Sequence, residues 1–117
     1  MALSTKWGAV LSVLLLAACD DATPDESCDN SPWTYSNTGD PFMRTWCTSC
    51  HHTDMADTVR PDGTEGINLD GFGNVAAFLE RIEARALGDS PTMPPAGGPS
   101  EVEREQLAEW IACGAPE

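Results

Sequence analysis

The stretch CTSCH, residues 47–51, constrains this chain more than any other part of its sequence. It places two cysteines two residues apart with a histidine directly after the second, whereas the remaining cysteines, Cys19, Cys28 and Cys113, are far apart. With 117 residues, the chain is long enough for one small domain with a modest core. Any interpretation of the fold therefore has to explain why two thiols and an imidazole share one turn.

Two thiols with this spacing on a helical turn can each add across a vinyl group of haem, and the following histidine can then be the proximal ligand of the iron. The motif predicts one covalently attached haem c, held by Cys47 and Cys50 with His51 on the iron. Three other interpretations stay open. A thioredoxin-like pair needs a preceding strand, a zinc site needs further ligands such as Cys28 and His52, and a plain CxxC disulfide leaves the histidine unexplained.

A second iron ligand is predicted in the segment PTMPPAGG, residues 91–98. The thioether of Met93 is a soft donor for iron, and the prolines on either side limit the freedom of the loop. Met43 lies in the helix before the haem motif, and Met55 lies on the proximal side just after His51. Met93 is therefore the predicted distal ligand.

Apolar spacing and capping residues predict three helices after about residue 40 and no strand. The first has Asp40 as its cap and leads into the CTSCH turn. The second runs from about Asn74, its cap, to Leu87. The third opens with a capping box of Ser100 and Glu103 and ends before Gly114. Two long loops rich in Gly, Pro and Asp separate them, so we expect an all-α fold whose loops wrap a bound group.

The N-terminal residues have the proportions of a signal peptide. Lys6 gives a positive start, and the apolar run at residues 8–18 is too short to span a bilayer comfortably. The run ends in LAAC, which resembles the lipobox of bacterial lipoproteins. That resemblance implies removal of residues 1–18 and lipidation of Cys19. An ordinary secretory signal that contains a cysteine is the alternative.

Residues 19–35 are acidic, small and broken by prolines, and they predict a tether between the lipid and a haem domain at residues 36–117. Several acyl chains on one residue would hold the protein at a membrane surface without spanning it. Asp20 and Asp21 resemble a signal for retention at the inner membrane, although inner and outer membrane both stay open. The formal charge of −13 argues against a nucleic-acid partner.

The helix leading into CTSCH, the MPP segment and a final helix ending LAEWIACGAP resemble, in this order, the class I c-type cytochromes of the small monohaem bacterial type. The resemblance covers about residues 36–117. It implies a cytochrome c-like bundle of about three to four helices. It also implies that the first and last helices cross through small and aromatic residues, here Gly39, Phe42, Leu107 and Trp110.

Iron with a histidine and a methionine on its axial positions has no open site, so it favours one-electron transfer. We expect an electron carrier rather than an enzyme, tethered to the periplasmic face of a bacterial membrane. Its acidic surface would steer it toward redox partners with basic docking patches. The alternatives are a haem-based sensor with a labile Met93, a dedicated electron-transfer subunit of a larger oxidoreductase, and a haem-free acidic lipoprotein.

Two groups of residues complete the predictions. Once Cys19, Cys47 and Cys50 are assigned, an even pair of cysteines remains in an oxidising compartment, and this predicts a disulfide between Cys28 and Cys113. Polar residues of the loop at 52–73 are candidates for contacts with a haem carboxylate, namely His52, Arg60 and Asn68.

Overall fold

A computed structural model describes residues 27–117, and these form an all-α fold, as predicted. Within them there are four α-helices and no strand: α1 (Asp40–Trp46), α2 (Phe72–Ala77), α3 (Leu79–Ala86) and α4 (Glu101–Ala112). None of the helices in this part of the chain is long and apolar enough to cross a membrane. The predicted signal peptide and the lipid-bearing Cys19 lie outside the described residues.

Packing begins before residue 36, the expected start of the domain. A short 3-10 helix spans Cys28–Asn30, and a π-helical turn, Tyr35–Gly39, runs directly into α1. Trp33 and Tyr35 pack against the core. The acidic tether predicted for residues 19–35 therefore gives way to packed structure several residues earlier than its composition indicates.

The predicted first helix is present, but its cap is different. Asp40 is the first residue of α1, and the residue before it, Gly39, makes no side-chain cap. The capping occurs one turn upstream, where the Thr34 hydroxyl accepts a hydrogen bond from the Asn37 backbone N–H and the Asn37 side chain accepts one from the Thr34 N–H. The π-helical turn thus supplies the start that the sequence assigned to Asp40.

The predicted second helix is divided in two at Phe78, whose backbone (φ −121°, ψ 16°) leaves the helical conformation. Asn74 is inside α2 rather than at its cap, and its amide donates back to the carbonyl of Asp70 at 2.7 Å. The predicted stop is confirmed, because Gly88 follows the end of α3 with a φ of 79°. The capping box of Ser100 and Glu103 at the start of α4 is also confirmed.

The core lies where α4 packs against the π-helical turn and α1. The predicted crossing residues take part: Phe42, Leu107 and Trp110 belong to one buried cluster, and Trp110 is fully buried. A Cβ atom on Gly39 would lie 3.0 Å from the Trp110 ring, so the glycine lets the indole approach the backbone directly. Such close packing is typical of protein interiors.

Both ends of the described chain are joined beside α4. A disulfide links Cys28 to Cys113, with their Cα atoms 5.3 Å apart, which is the pairing that the cysteine count predicts. Next to it, the Tyr35 N–H donates to the Pro116 carbonyl at 2.8 Å, and the Trp110 indole donates to the same carbonyl at 2.9 Å. The N-terminal segment is therefore fixed by covalent and hydrogen bonds to the end of the last helix.

Candidate functional site

One cavity brings together the residues that the sequence selects for haem attachment. It has a volume of about 710 Å³ and lies between the end of α1, the turn after it, α3 and the loop before α4. Cofactor sites typically occupy about 300–1,000 Å³, so its size suits a large organic group. Its lining includes Cys47, Cys50, His51 and Met93.

The orientation of His51 is set by the segment that follows the long loop. Its Nδ1 lies 3.0 Å from the Ile67 carbonyl oxygen, and the Leu69 N–H donates to the His51 carbonyl at 2.9 Å. A carbonyl oxygen can only accept, so Nδ1 is the donor of this bond, and in the neutral ring Nε2 is then the nitrogen with the lone pair. This is the arrangement that a metal-binding imidazole needs.

The two cysteines of the CTSCH turn are free thiols, and both line the cavity. Burial raises the pKa of the Cys47 thiol to about 11, an effect that the nearby Arg104 cation partly offsets. The CxxC disulfide left open by the sequence is not formed. Cys28 is bonded to Cys113 and cannot supply a zinc ligand, and within residues 27–117 no three His, Cys, Asp or Glu side chains cluster as a metal site.

The loop that carries Met93 is attached to the C-terminal end of α3. The backbone N–H groups of Thr92 and Met93 both donate to the Arg85 carbonyl, at 2.8 and 2.9 Å. From α4, the Arg104 guanidinium donates to the carbonyls of Ala86 and, at 3.3 Å, Met93. These bonds satisfy carbonyls that a helix end leaves without partners.

Among the methionines in the described residues, Met93 alone lines the cavity. Met43 is 1% exposed and belongs to the core cluster, which agrees with the expectation that it cannot serve as the distal ligand. Met55 is partly buried in the loop after His51 and is not at the cavity. Of these three methionines, the one at the cavity is therefore the one that the sequence selects, Met93.

Trp46 forms the part of the cavity wall nearest to the methionine loop. Its indole N–H donates to Glu103 at 3.1 Å, and a Cβ atom on Gly98 (φ 128°) would overlap with its ring. The Ser100 backbone and hydroxyl and the Trp46 indole all donate to Glu103, and these bonds lower the pKa of its carboxyl from its ordinary value. The capping box of α4 thus also fixes the wall of the cavity.

The remaining wall is mainly apolar and comes from two segments. Ile67 and Leu69 contribute from the end of the long loop, Phe78 from the break between α2 and α3, and Ile82 and Ala86 from α3. An apolar cavity with a few polar groups of defined position is the usual form of a cofactor site. With two free thiols, an imidazole whose Nε2 is available and one thioether on the same cavity, the residues present fit a covalently attached haem.

Two cations at this cavity were not identified from the sequence. They are Arg81 and Arg85, which both line the cavity and are both exposed. They lie one turn apart on α3, so they share a face of the helix. The available signal was their position directly before Ile82 and three residues after it, since Ile82 also lines the cavity.

The expected carboxylate contacts of the long loop are wrong for Arg60 and Asn68. The side chain of Arg60 is 4% exposed, and its terminal nitrogens donate within the loop. Their acceptors are the carbonyls of His52, Met55 and Thr64 and the amide oxygen of Asn68. Because neither Arg60 nor Asn68 lines the cavity, both residues organise the loop instead.

His52 faces a different pocket, which has a volume of about 630 Å³ and includes Tyr35, Arg44 and Asp70. Its Nδ1 accepts a hydrogen bond from the Asp54 N–H at 3.1 Å. Burial acts to raise the pKa of Asp70, but hydrogen bonds from the Thr53 N–H and hydroxyl outweigh it, so the pKa is lowered. His52 therefore lies at a pocket that contains none of the predicted haem ligands, so the structure does not support its predicted contact with a haem carboxylate.

No protein-family model, curated protein or solved structure matches this chain. The resemblance to class I c-type cytochromes consequently depends on the motifs and on the residues that share the cavity.

Proposed function

We propose that this protein is a one-electron carrier with one covalently attached haem c, bound through Cys47 and Cys50 and ligated by His51 and Met93. The observation that carries the proposal is that all four residues line one cavity of about 710 Å³. Sequence spacing relates the first three to one another, but Met93 lies on a separate loop beyond α3. Its presence at the same cavity is an independent argument for axial ligation.

The two cysteines would attach the haem to the chain covalently. Each S–H of Cys47 and Cys50 would add across a vinyl C=C bond, which forms a C–S bond and moves the proton to the other vinyl carbon. Neither an oxidant nor a leaving group is needed, and the free state of both thiols suits this addition. When bound, haem c supplies the Fe(III)/Fe(II) couple.

The hydrogen bonds around the site favour firm ligation of the iron by His51 and Met93. The Ile67 carbonyl holds the ring of His51 through Nδ1, and the Arg85 carbonyl holds the backbone of Met93. The apolar wall limits the access of water. A site with two firm axial ligands suits electron transfer more than the binding of a gas.

We place this carrier on the periplasmic face of a bacterial membrane, tethered by a lipid on Cys19, because of the LAAC sequence. Its partners would be larger redox proteins, and its charge of −13 favours basic docking patches on them. Contacts of this kind are small and transient.

The test is the visible spectrum, oxidised and reduced, of the domain produced in a host with haem-attachment machinery. We expect low-spin bands, colour that stays with the protein after acid–acetone extraction, and a weak sulfur-to-iron charge-transfer band at the red edge. Met93→Ala should remove this band and yield a high-spin or newly ligated iron. Met55→Ala is the matched control and should leave the spectrum unchanged.

Three outcomes would contradict the proposal in different ways. A protein without colour would mean that CTSCH is a thiol pair of an exported protein and does not attach haem. A charge-transfer band that persists in Met93→Ala would assign the distal position to another residue. A wild-type protein that is already high-spin, or that binds carbon monoxide without displacement of a ligand, would favour the sensor alternative.

A further inference from the structure

The arginines of this acidic protein are used in contrasting ways. Arg60 is enclosed by loop carbonyls, Arg104 donates to the ends of α3 and the methionine loop, and Arg44 pairs with Asp40 at 2.9 Å. Arg81 and Arg85 remain. Within residues 27–117 neither of these two side chains has a hydrogen bond or an ion pair, and both are at the cavity that holds Cys47, Cys50, His51 and Met93.

The cavity is otherwise poor in positive charge. Apart from the histidine, Arg81 and Arg85 are its cationic residues, and Asp62 is its acidic one. Haem is an apolar ring with two carboxylates on one edge, so the carboxylates require donors or water. An exposed guanidinium is a good partner because its planar N–H groups bind a carboxylate in a bidentate manner.

We infer that Arg81 and Arg85 form the binding site for the two haem carboxylates, so that this edge of the ring faces the exposed side of α3. The inference rests on the proposed function, since it concerns the same cavity. Arg60 and Asn68 were the earlier candidates for contacts with the carboxylates, but their polar groups bond within the loop. Arg81 and Arg85, in contrast, lie at the cavity itself. Asp62 would repel the same carboxylates and lies on a loop apart from α3.

The main competing role for the two arginines is docking of an acidic partner protein. Two observations favour the carboxylates of the haem. The arginines line the cavity rather than standing on a separate surface, and they are i and i+4 on one helix, a spacing at which their side chains are neighbours. The helix around them is rich in acid, with Glu80 and Glu83 exposed beside them, which disfavours an acidic partner.

The experiment uses the haem-loaded protein and the variant Arg81→Gln/Arg85→Gln. We expect a lower midpoint potential, because loss of cations that neutralise the carboxylates favours the ferric state. We also expect a shift of the propionate bending band in the resonance Raman spectrum. Arg44→Gln is the control for loss of a surface cation and should change both quantities less. Arg81→Lys/Arg85→Lys keeps the charge and should largely restore the potential, while the Raman band stays shifted.

Each possible result of this experiment either supports or overturns the assignment of the two arginines to the haem carboxylates. A Raman band and a potential in Arg81→Gln/Arg85→Gln that match those of Arg44→Gln would overturn it. Slower electron exchange with a partner protein, without a change in the Raman band, would also overturn it and assign the arginines to docking. A wild-type protein without covalent haem would overturn the proposed function as well, so the wild-type spectrum separates the two failures.

Discussion

Arg104 reaches from α4 to the two segments that set the position of Met93. Its guanidinium donates to the carbonyl of Ala86, the last residue of α3, and to the carbonyl of Met93 itself. A cation at a helix C-terminus also interacts favourably with the helix dipole. One partly buried side chain therefore joins the last two helices and the loop of the proposed distal ligand.

Replacement of Arg104 by Gln should weaken the fold and the distal ligation together. A hydrogen bond to a charged group contributes about 1.5–3 kcal/mol, so we expect a loss of about 1–3 kcal/mol in the free energy of unfolding. Urea denaturation measures this loss. The charge-transfer band of the haem-loaded variant should disappear at a lower urea concentration than that of the wild type.

Arg44→Gln is the comparison for this variant. Arg44 forms an exposed pair with Asp40, its side chain being 76% exposed, and such pairs contribute about 0–1 kcal/mol. Equal stability of the two variants, with the methionine band lost at the same urea concentration, would show that Arg104 does not hold the loop.

Residue-scale roles were predictable where the local sequence carries the chemistry. CTSCH contains its own spacing, and the prolines around Met93 distinguish it from Met43 and Met55. The proposed haem-binding residues at the cavity could therefore be selected from the sequence. The partners of these residues were not predictable. Ile67 and Arg85 act through their carbonyl oxygens, which every residue possesses, and only the folded backbone determines which carbonyl is near.

At the scale of elements, the contact between α4 and the π-helical turn depends on one missing side chain. Gly39 has a φ of −61°, so its backbone would suit any residue. A Cβ atom there would lie 2.7 Å from the Tyr35 ring and 3.0 Å from the Trp110 ring. Trp110 is fully buried, and its indole is bonded to the Pro116 carbonyl, so it cannot move away easily.

Gly39→Ala should therefore destabilise the protein although alanine favours helices. Overpacking of a close-packed core costs about 1–3 kcal/mol, which exceeds the gain of about 0.4–1 kcal/mol from lower chain entropy. The measurement is the midpoint of thermal or urea unfolding. The expected decrease comes from packing alone, since the backbone conformation is unstrained.

Gly73→Ala provides the matched control. Gly73 lies in α2, and a Cβ atom there would meet no heavy atom within 4 Å. We expect this variant to be as stable as the wild type or slightly more stable. A stabilising effect of both substitutions would mean that Trp110 can yield and that the crossing does not need glycine.

The helices themselves were mostly predictable, and the differences have local causes. Capping chemistry located the start of α4 at Ser100, because the box is formed by neighbours in sequence. The break at Phe78 was missed because the apolar period continues through it from Val75 to Ile82. The phenyl ring lines the cavity, so the interruption reflects the geometry of the site and is invisible in the spacing of apolar residues.

For the whole molecule, the disulfide closes a long loop. Cys28 and Cys113 are separated by 85 residues, so the bond restricts nearly all of the described chain when it unfolds. The chain-entropy model gives about 4.6 kcal/mol for a loop of this length, and disulfides typically contribute about 2–4 kcal/mol. Hydrogen bonds from Trp33 to Glu109 and from Tyr35 to Pro116 hold the same two segments together independently.

The double variant Cys28→Ser/Cys113→Ser should thus fold but be less stable by about 2–4 kcal/mol. The visible spectrum of the haem-loaded variant should match the wild type, since neither cysteine lines the cavity. Guanidinium denaturation of both proteins, with and without reductant, measures the difference. A variant as stable as the oxidised wild type would show that the hydrogen bonds suffice, and an altered spectrum would show that the disulfide shapes the site.

Because the two ends of the described chain meet at the core, they also determine when the core can form during folding. The core joins residues 35–43 to residues 107–116, so it cannot close until the last helix has been synthesised. Contacts of such long range form late in folding. Before α4 is in place, Trp46 lacks its bond to Glu103 and the cavity around the CTSCH thiols is incomplete. An assembly factor would therefore encounter these thiols before burial raises the pKa of Cys47, and the fold would close over a group that is already attached.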